Sequence, residues 1–152
     1  MAETRYPGCC LCGAVRFSIA APLPHFYQCH CSLCRRLSGS ACDTACFVDL
    51  PQFRWEAGED NIRSYQTASA YRSDFCLTCG STVPHRMRNG RQAWVPAGLL
   101  DEAGDSEVRA HLFVASRASW DRIAEGACHH DAMPEMEELD LCLRKALTPS
   151  QP

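Results

Sequence analysis

Three short cysteine motifs have the spacing of metal ligands. Residues 10–13 read C-L-C-G, residues 76–80 read C-L-T-C-G, and residues 29–34 between them read C-H-C-S-L-C. A tetrahedral zinc ion with Zn–S bonds of about 2.3 Å holds its sulfur ligands about 3.8 Å apart. Alternate residues of an extended strand lie about 6.6 Å apart, so ligands at that spacing need a turn. The motifs are therefore predicted to lie on turns that present thiolates to a metal.

The first and last of these motifs together supply four sulfurs, the ligand number of a closed, structural zinc site. A glycine, Gly13 or Gly80, follows each motif's last cysteine, where a positive φ lets backbone N–H groups turn towards the thiolates. Disulfides are the alternative, but a bridge across C-x-C is strained and a reducing compartment disfavours it. The spacing predicts one structural zinc ion bound by Cys10, Cys12, Cys76 and Cys79.

The middle motif supplies three thiolates, Cys29, Cys31 and Cys34, with no obvious fourth. Three protein ligands and an open position describe a catalytic zinc site, where water or a substrate takes the remaining place. Arg35 and Arg36 follow directly and could offset the charge of a substrate thiolate or bind a substrate carboxylate. The motif therefore allows an exchangeable site.

A second structural site is the alternative for this motif, completed by His30, Cys42, Cys46 or a residue distant in the sequence. The spacing leaves the two interpretations open. Otherwise, His30 is interpreted as a solvent-facing residue or as one that supports the ligand residues without binding the metal itself. Residues 128–131 read C-H-H-D and resemble a metal-binding cluster, although a solvated loop after Gly126 is favoured.

Length and charge limit the remaining function classes. The chain has 152 residues, enough for one domain, and such a domain buries about 70% of its unfolded surface without needing cross-links. Its twelve cysteines are therefore not required for stability, although five of them receive no role: Cys9, Cys42, Cys46, Cys128 and Cys142. A net charge of −3 predicts neither a nucleic-acid partner nor binding to an anionic membrane.

The compartment is predicted to be the cytoplasm. The first seven residues lack the apolar stretch of a secretory signal. The longest stretch without Asp, Glu, Lys or Arg, residues 17–34, contains two prolines and two histidines and does not suit a membrane span. In a reducing cytosol, thiols serve metal binding or catalysis more often than structural disulfides.

Hydrophobic patterning predicts a mainly β architecture that must position these motifs. Alternation of apolar and polar residues favours strands at residues 15–19, 44–50, 52–56, 93–100 and 108–114. Pro96 interrupts one of them and predicts a place near a sheet edge. The chain is expected to form a single domain over residues 1–152.

One or two short helices are predicted after about residue 118. Ser119 can cap a helix that ends at Ile123. Pro134 suits the first position of a second helix, whose charges complement the helix dipole. The apolar stripe of that helix would consist of Met136, Leu139 and Leu143.

Taken in order, the cysteine motifs also carry a family resemblance. Residues 8–15 read G-C-C-L-C-G-A-V, residues 29–35 read C-H-C-S-L-C-R, and residues 75–81 read F-C-L-T-C-G-S. With S-G-S at 38–40 and G-L-L-D at 98–101, the sequence resembles the glutathione-dependent formaldehyde-activating enzyme family and its centromere-protein-V-like relatives. The resemblance covers about residues 8–134 and leaves 135–152 as a helical tail.

The resemblance implies coiled β-sheets of the Mss4-like type and two zinc ions per chain. It implies a structural zinc on Cys10, Cys12, Cys76 and Cys79, and a catalytic zinc on Cys29, Cys31 and Cys34. The implied activity is that of a carbon–sulfur lyase in reverse, which joins glutathione or another small thiol to formaldehyde or a similar small aldehyde. A non-enzymatic zinc-bearing protein that binds thiols or serves as a scaffold is the alternative.

Overall fold

The computed structural model describes residues 2–145, and its architecture is mainly β, as predicted. The described residues form twelve strands: β1 (Arg5–Cys9), β2 (Arg16–Ala20), β3 (Phe26–Cys29), β4 (Asp43–Asp49), β5 (Phe53–Ala57), β6 (Ile62–Gln66), β7 (Arg72–Cys76), β8 (Thr82–Val83), β9 (His85–Arg86), β10 (Gln92–Pro96), β11 (Val108–Leu112) and β12 (Cys128–His129). They also form two helices, α1 (Ser32–Ser38) and α2 (Met136–Leu143). These residues divide into two compact units, a first unit of residues 2–23 and 44–105 and a second unit of residues 24–43 and 106–145.

In the first unit, the predicted strands at 15–19 and 52–56 lie side by side. β2 pairs in antiparallel register with β1 on one side and β5 on the other. Phe17 of β2 is 1% exposed and packs its ring against Phe53 and Trp55 of β5, with ring centroids 5.7 and 6.4 Å apart. The alternation of apolar residues thus marks the buried face that joins these strands.

The predicted strand at 93–100 is shorter than expected, and it lies next to the edge strand β9, as Pro96 predicted. β10 pairs with β4 on one side and with β9 on the other. Pro96 is tolerated because β9 reaches only Ala93 and Trp94, so no partner on that side needs the N–H that proline lacks. A 3-10 turn at Ala97–Leu99 ends the strand.

In the second unit, β11 lies between β3 and β12 and pairs in parallel with both. The strand stops at Leu112 instead of continuing to residue 114, because Phe113 adopts a left-handed φ of 55° and leads into a 3-10 turn at Val114–Ser116. Parallel pairing of β3 and β11 brings the middle cysteine motif beside the end of β11.

The helix predicted at Ser119–Ile123 does not form. The chain makes only a turn there, in which the N–H of Asp121 donates to the carbonyl of Ala118, and the Asp121 carboxylate bonds to His30 instead of stabilising a helix end. The second predicted helix does form as α2, and it buries Leu139 and Leu143. It begins at Met136 and not at Pro134, it leaves Met136 exposed, and its last turn carries no basic residue.

Helix α1 was not predicted, although it carries one of the proposed ligands. It is seven residues long and exposes 40% of Leu33, so it lacks a repeating apolar face. Gly39, with a φ of 64°, ends the helix and donates its N–H to the carbonyl of Arg35. No helix among residues 2–145 is long and apolar enough to cross a membrane.

Candidate metal centres

The first candidate centre lies in the first unit, where two turns bring four cysteines together. Cys10 follows directly on β1, and Cys76 is the last residue of β7. Gly13 and Gly80 adopt φ values of 76° and 78°, and their N–H groups donate to the carbonyls of Cys10 and Cys76 at 3.0 and 2.8 Å. The predicted cysteine turns, each closed by a left-handed glycine, are confirmed.

The four sulfurs have the separations of metal ligands. The Sγ atoms of Cys10 and Cys12 are 3.6 Å apart, those of Cys12 and Cys76 are 3.8 Å apart, and all four, including Cys79, lie within 4.8 Å of one another. These distances match the roughly 3.8 Å expected on a tetrahedral zinc and exceed the roughly 2.05 Å of a disulfide. The group could hold a metal ion.

Hydrogen-bond donors surround these sulfurs. The N–H of Val15 donates to Sγ of Cys10 at 3.3 Å, and the side-chain amide of Asn61 donates to Sγ of Cys76 at 3.4 Å. Donors to the sulfur stabilise a thiolate and tune a metal bound to it. The surroundings of this group therefore favour the ligand form of cysteine.

The pKa values show how the four thiols affect one another. The hydroxyl and the N–H of Ser81 lower the pKa of Cys79 to about 5. The N–H of Ala14 lowers the pKa of Cys12, but burial and the neighbouring thiols outweigh it and raise that pKa to about 11. One thiolate thus forms readily, whereas further negative charge is resisted unless a cation is present.

The second candidate centre lies in the second unit and is built by β3 and α1. Cys29 ends β3, Cys31 is the N-cap of α1, and Cys34 lies in the first turn of that helix. The Sγ of Cys31 accepts the N–H of Cys34 at 3.3 Å, and the three sulfurs lie within 4.8 Å of one another. Burial raises the pKa of the Cys31 thiol, even though this N–H lowers it. The helix missed by sequence patterning is thus what aligns these three ligands.

The group has three members, and no fourth His, Cys, Asp or Glu within residues 2–145 joins it. Of the candidates for a fourth ligand, His30 directs both ring nitrogens to other residues. Cys46 is fully buried in β4, and burial raises its pKa to about 12. Cys42 lies outside the group. Within the described residues, this centre therefore offers three cysteines as possible metal ligands.

His30 anchors a buried polar network next to the second centre. It is 2% exposed; its Nδ1 lies 3.0 Å from Oδ2 of Asp121, and its Nε2 lies 3.0 Å from Nδ1 of His111. The ring of His129 packs against His111 with centroids 5.1 Å apart. Burial, together with His30 and His129, lowers the pKa of His111. His30 is thus a supporting residue, and the solvent-facing interpretation is wrong.

Sequence reasoning did not find His111 or Asp121. His111 occupies the polar face of a predicted strand, yet it is 5% exposed, and Asp121 lies within the helix predicted to end at Ile123, which does not form. Residues 128–131 also differ from the predicted loop, since Cys128–His129 forms the exposed strand β12. No group of three or more ligating side chains within residues 2–145 includes these positions.

A buried cationic nitrogen accompanies the second centre. The Nε of Arg35, the residue after Cys34, is buried without a hydrogen-bond partner among the described residues. Arg36, the next residue, is exposed. Since buried donors are normally paired, Arg35 has bonding capacity that a ligand could use.

The model of the glutathione-dependent formaldehyde-activating enzyme family matches residues 5–116. The chain belongs to this family. The match includes both cysteine groups and His111, and it ends before Asp121.

Two known proteins and one crystal structure are also similar to this chain. An uncharacterized lyase of Schizosaccharomyces pombe is 27% identical over 108 residues, which is 68% of this chain and 77% of that protein. A Halomonas elongata protein, provisionally named glutathione-dependent formaldehyde-activating enzyme, is 52% identical over 33 residues, 21% of each chain. A crystal structure of a Rhodobacter sphaeroides protein has a TM-score of 0.52 and 26% identity, covering 67% of this chain and 98% of the other.

Proposed function

We propose that this chain is a zinc-dependent enzyme of the carbon–sulfur lyase type that joins a small thiol, glutathione, to formaldehyde or a similar small aldehyde. The observation that carries the proposal is the group of three cysteine sulfurs without a fourth protein ligand among the described residues. A closed structural site would have four, whereas a catalytic site keeps one position for a substrate. Membership of the family and the lyase name of the S. pombe relative support the same reaction class.

The donor sets fit zinc, because thiolates at these separations suit a tetrahedral ion. In the proposal, Cys10, Cys12, Cys76 and Cys79 hold a structural zinc ion that stabilises the fold. Cys29, Cys31 and Cys34 hold the catalytic one. When bound there, zinc supplies Lewis acidity that lowers the pKa of a thiol in the remaining position.

In the proposal, the pair of His30 and His111 takes up the proton that the substrate thiol loses. The Asp121 carboxylate accepts the Nδ1–H of His30, which leaves Nε2 of His30 to accept the Nδ1–H of His111. A proton taken up by the pair converts one ring to imidazolium, close to the negative charge of the partly exposed Asp121 carboxylate. The network also fixes His30, and with it the turn that carries Cys29 and Cys31.

Arg35 is proposed to bind a carboxylate of the thiol substrate. Glutathione carries two carboxylates, and the buried Nε of Arg35 has no hydrogen-bond partner among residues 2–145. A guanidinium binds carboxylates through charge-assisted hydrogen bonds, which are stronger than neutral ones. This contact would favour glutathione over small thiols without a carboxylate.

Two matched substitutions test the proposal. The purified chain is expected to contain two zinc ions, and Cys31→Ser is expected to contain one, to keep its fold and to lose catalysis. Serine is a favoured N-cap, so it can replace Cys31 at the start of α1 without destabilising the helix. Cys79→Ser is expected to unfold, because structural zinc binding is folding energy.

Catalysis is measured by NMR exchange between free formaldehyde and S-hydroxymethylglutathione at equilibrium, with the uncatalysed exchange subtracted. If Cys31→Ser destabilises the chain as much as Cys79→Ser does, the three-cysteine site is structural and the enzyme proposal fails. If the protein binds glutathione in calorimetry but leaves the exchange rate unchanged, it is a thiol-binding protein. If calorimetry shows no binding heat with any small thiol, the scaffold alternative is favoured.

A further inference from the structure

Two cysteines outside both metal groups lie side by side in the second unit. Cys128 lies in β12 and Cys142 lies in α2, and their Sγ atoms are 4.0 Å apart. Cys128 is exposed and Cys142 is half-buried. Neither belongs to a group of three or more ligating side chains within residues 2–145, so the pair lacks the ligand number that zinc prefers.

Both cysteines are held by elements that contact β11. β12 pairs in parallel with β11, with Cys128 opposite Ala110. Helix α2 contacts β11 as well, and it buries Leu139. The Sγ of Cys142 lies 3.9 Å from the carbonyl oxygen of Arg109 in β11. A common strand therefore keeps the two thiols next to each other.

We propose that Cys128 and Cys142 form a dithiol redox site, which low-molecular-weight disulfides such as oxidised glutathione convert to an intramolecular disulfide. The proposal is independent of the function assigned to the three-cysteine site. Cys128 and Cys142 belong to neither metal group, and both take part in the same thiol–disulfide exchange.

The exchange proceeds in two steps. The thiolate of Cys128 attacks one sulfur of the external disulfide RSSR; the S–S bond breaks, one RS⁻ leaves, and Cys128 carries a mixed disulfide. Cys142 then loses its proton to solvent, its thiolate attacks Sγ of Cys128, and the second RS⁻ leaves. Two electrons pass from the protein thiols to RSSR, and the two released protons convert both leaving groups to RSH.

Exposure and burial set the order of these steps. The exposed Cys128 meets a soluble disulfide first. Burial and the neighbouring Cys128 raise the pKa of the Cys142 thiol, which makes it a weak first nucleophile. Its position suits the second step, because its Sγ already lies 4.0 Å from that of Cys128, and a disulfide needs about 2.05 Å.

The test treats the zinc-loaded full chain with oxidised glutathione, blocks the remaining thiols with N-ethylmaleimide and maps the peptides by mass spectrometry. We expect a linked peptide pair containing Cys128 and Cys142, without retained glutathione and with unchanged zinc content. Cys142→Ser is expected to stop at the mixed disulfide on Cys128. Cys128→Ser is expected to slow the reaction of Cys142 about tenfold or more, because the half-buried thiol must then react first.

Cys42→Ser, which changes another half-buried cysteine of the second unit, is the control and is expected to keep the Cys128–Cys142 link. The proposal is overturned if both thiols of the wild-type chain remain open to N-ethylmaleimide after prolonged treatment. It is equally overturned if the mixed disulfide on Cys128 persists, or if Cys128 links to a different cysteine. The decisive measurement uses the wild-type chain, so a misfolded variant does not block it.

Discussion

The Nδ1 atom of His30 lies 3.0 Å from Oδ2 of Asp121, a residue 91 positions later in the chain. His30 is 2% exposed and stands between two of the three cysteines of the second centre. A carboxylate that accepts from one imidazole nitrogen fixes the tautomer and directs the other nitrogen to a second partner, which here is His111. The contact therefore fixes the orientation of the His30 ring, which stands between two cysteines of the turn.

We expect Asp121→Asn to lower kcat about 10–100-fold, the usual effect of losing a partner that orients groups at a metal site. Asparagine keeps the size and an oxygen acceptor but removes the negative charge that lies 3.0 Å from Nδ1 of His30. Zinc content, measured by atomic absorption, is expected to match the wild type, which separates lost chemistry from lost metal. Glu125→Gln removes an exposed carboxylate from the same loop and is expected to keep full kcat. Wild-type kcat in Asp121→Asn would refute the proton role.

The ligand turns could be predicted from the sequence because each one is local. Gly13 and Gly80 mark the reversal beside their own cysteines, and both take the left-handed conformation expected of them. The same holds for the strands around Phe17, where the alternating apolar residues Phe17 and Ile19 are both fully buried. The grouping of the four cysteines followed from the coordination number of zinc, which spacing alone can suggest.

Helix α1 and the carboxylate partner of His30 could not be predicted in this way. The N-cap of α1 is Cys31, which is not among the usual capping residues, and the helix is too short for a period of 3.6 residues to show. The sequence favours a place for Asp121 in the first turn of the helix predicted after Ser119, since a negative charge suits a helix N-terminus. Its contact with His30 joins distant parts of the chain, and no local pattern encodes such a contact.

The backbone next to the first cysteine turn leaves no room for a side chain at Gly58. Its φ is 79°, and a Cβ there would lie 2.0 Å from the carbonyl oxygen of Ala14. We expect Gly58→Ala to lower the free energy of unfolding by about 3 kcal/mol or more, because crowding adds to left-handed strain. Urea unfolding measures the loss, and competition with a chelator is expected to show faster zinc release.

Gly90→Ala is the matched control for crowding. Gly90 has a φ of 68°, but a Cβ there meets nothing within 4 Å. Its substitution is therefore expected to cost only the left-handed strain, about 1–2 kcal/mol, with zinc release unchanged. Equal losses in the two variants would show that the contact with Ala14 does not limit the position.

The charge of Arg35 is expected to act on substrate binding. Arg35→Gln should raise KM for glutathione about tenfold or more while kcat changes little, because a charge-assisted hydrogen bond contributes about 1.5–3 kcal/mol. With 2-mercaptoethanol, which has no carboxylate, the wild type and the variant should behave alike. Arg36→Gln removes a neighbouring exposed charge and should leave both parameters near the wild type. An equal KM rise with both thiols would exclude recognition of a carboxylate.

The Arg72–Asp74 pair makes part of the stability depend on pH. Burial alone would raise the pKa of Asp74, but Arg72 and the hydroxyl of Ser64, each 2.7 Å away, lower it below its usual value. The unfolded chain therefore binds this proton more tightly, so the contribution is complete above the unfolded pKa of about 3.9 and is lost as the pH falls through the folded pKa. Asp74→Asn is expected to lower the free energy of unfolding by about 1–3 kcal/mol at pH 7, and the difference from the wild type should shrink below about pH 4. Urea unfolding between pH 3 and pH 7 measures this difference, and acid release of zinc affects both proteins alike.

Asp60→Asn, at an exposed position, is the control and should have the stability of the wild type at every pH. If the deficit of Asp74→Asn persists unchanged at the lowest pH, the shape of the side chain and not its charge matters at Asp74.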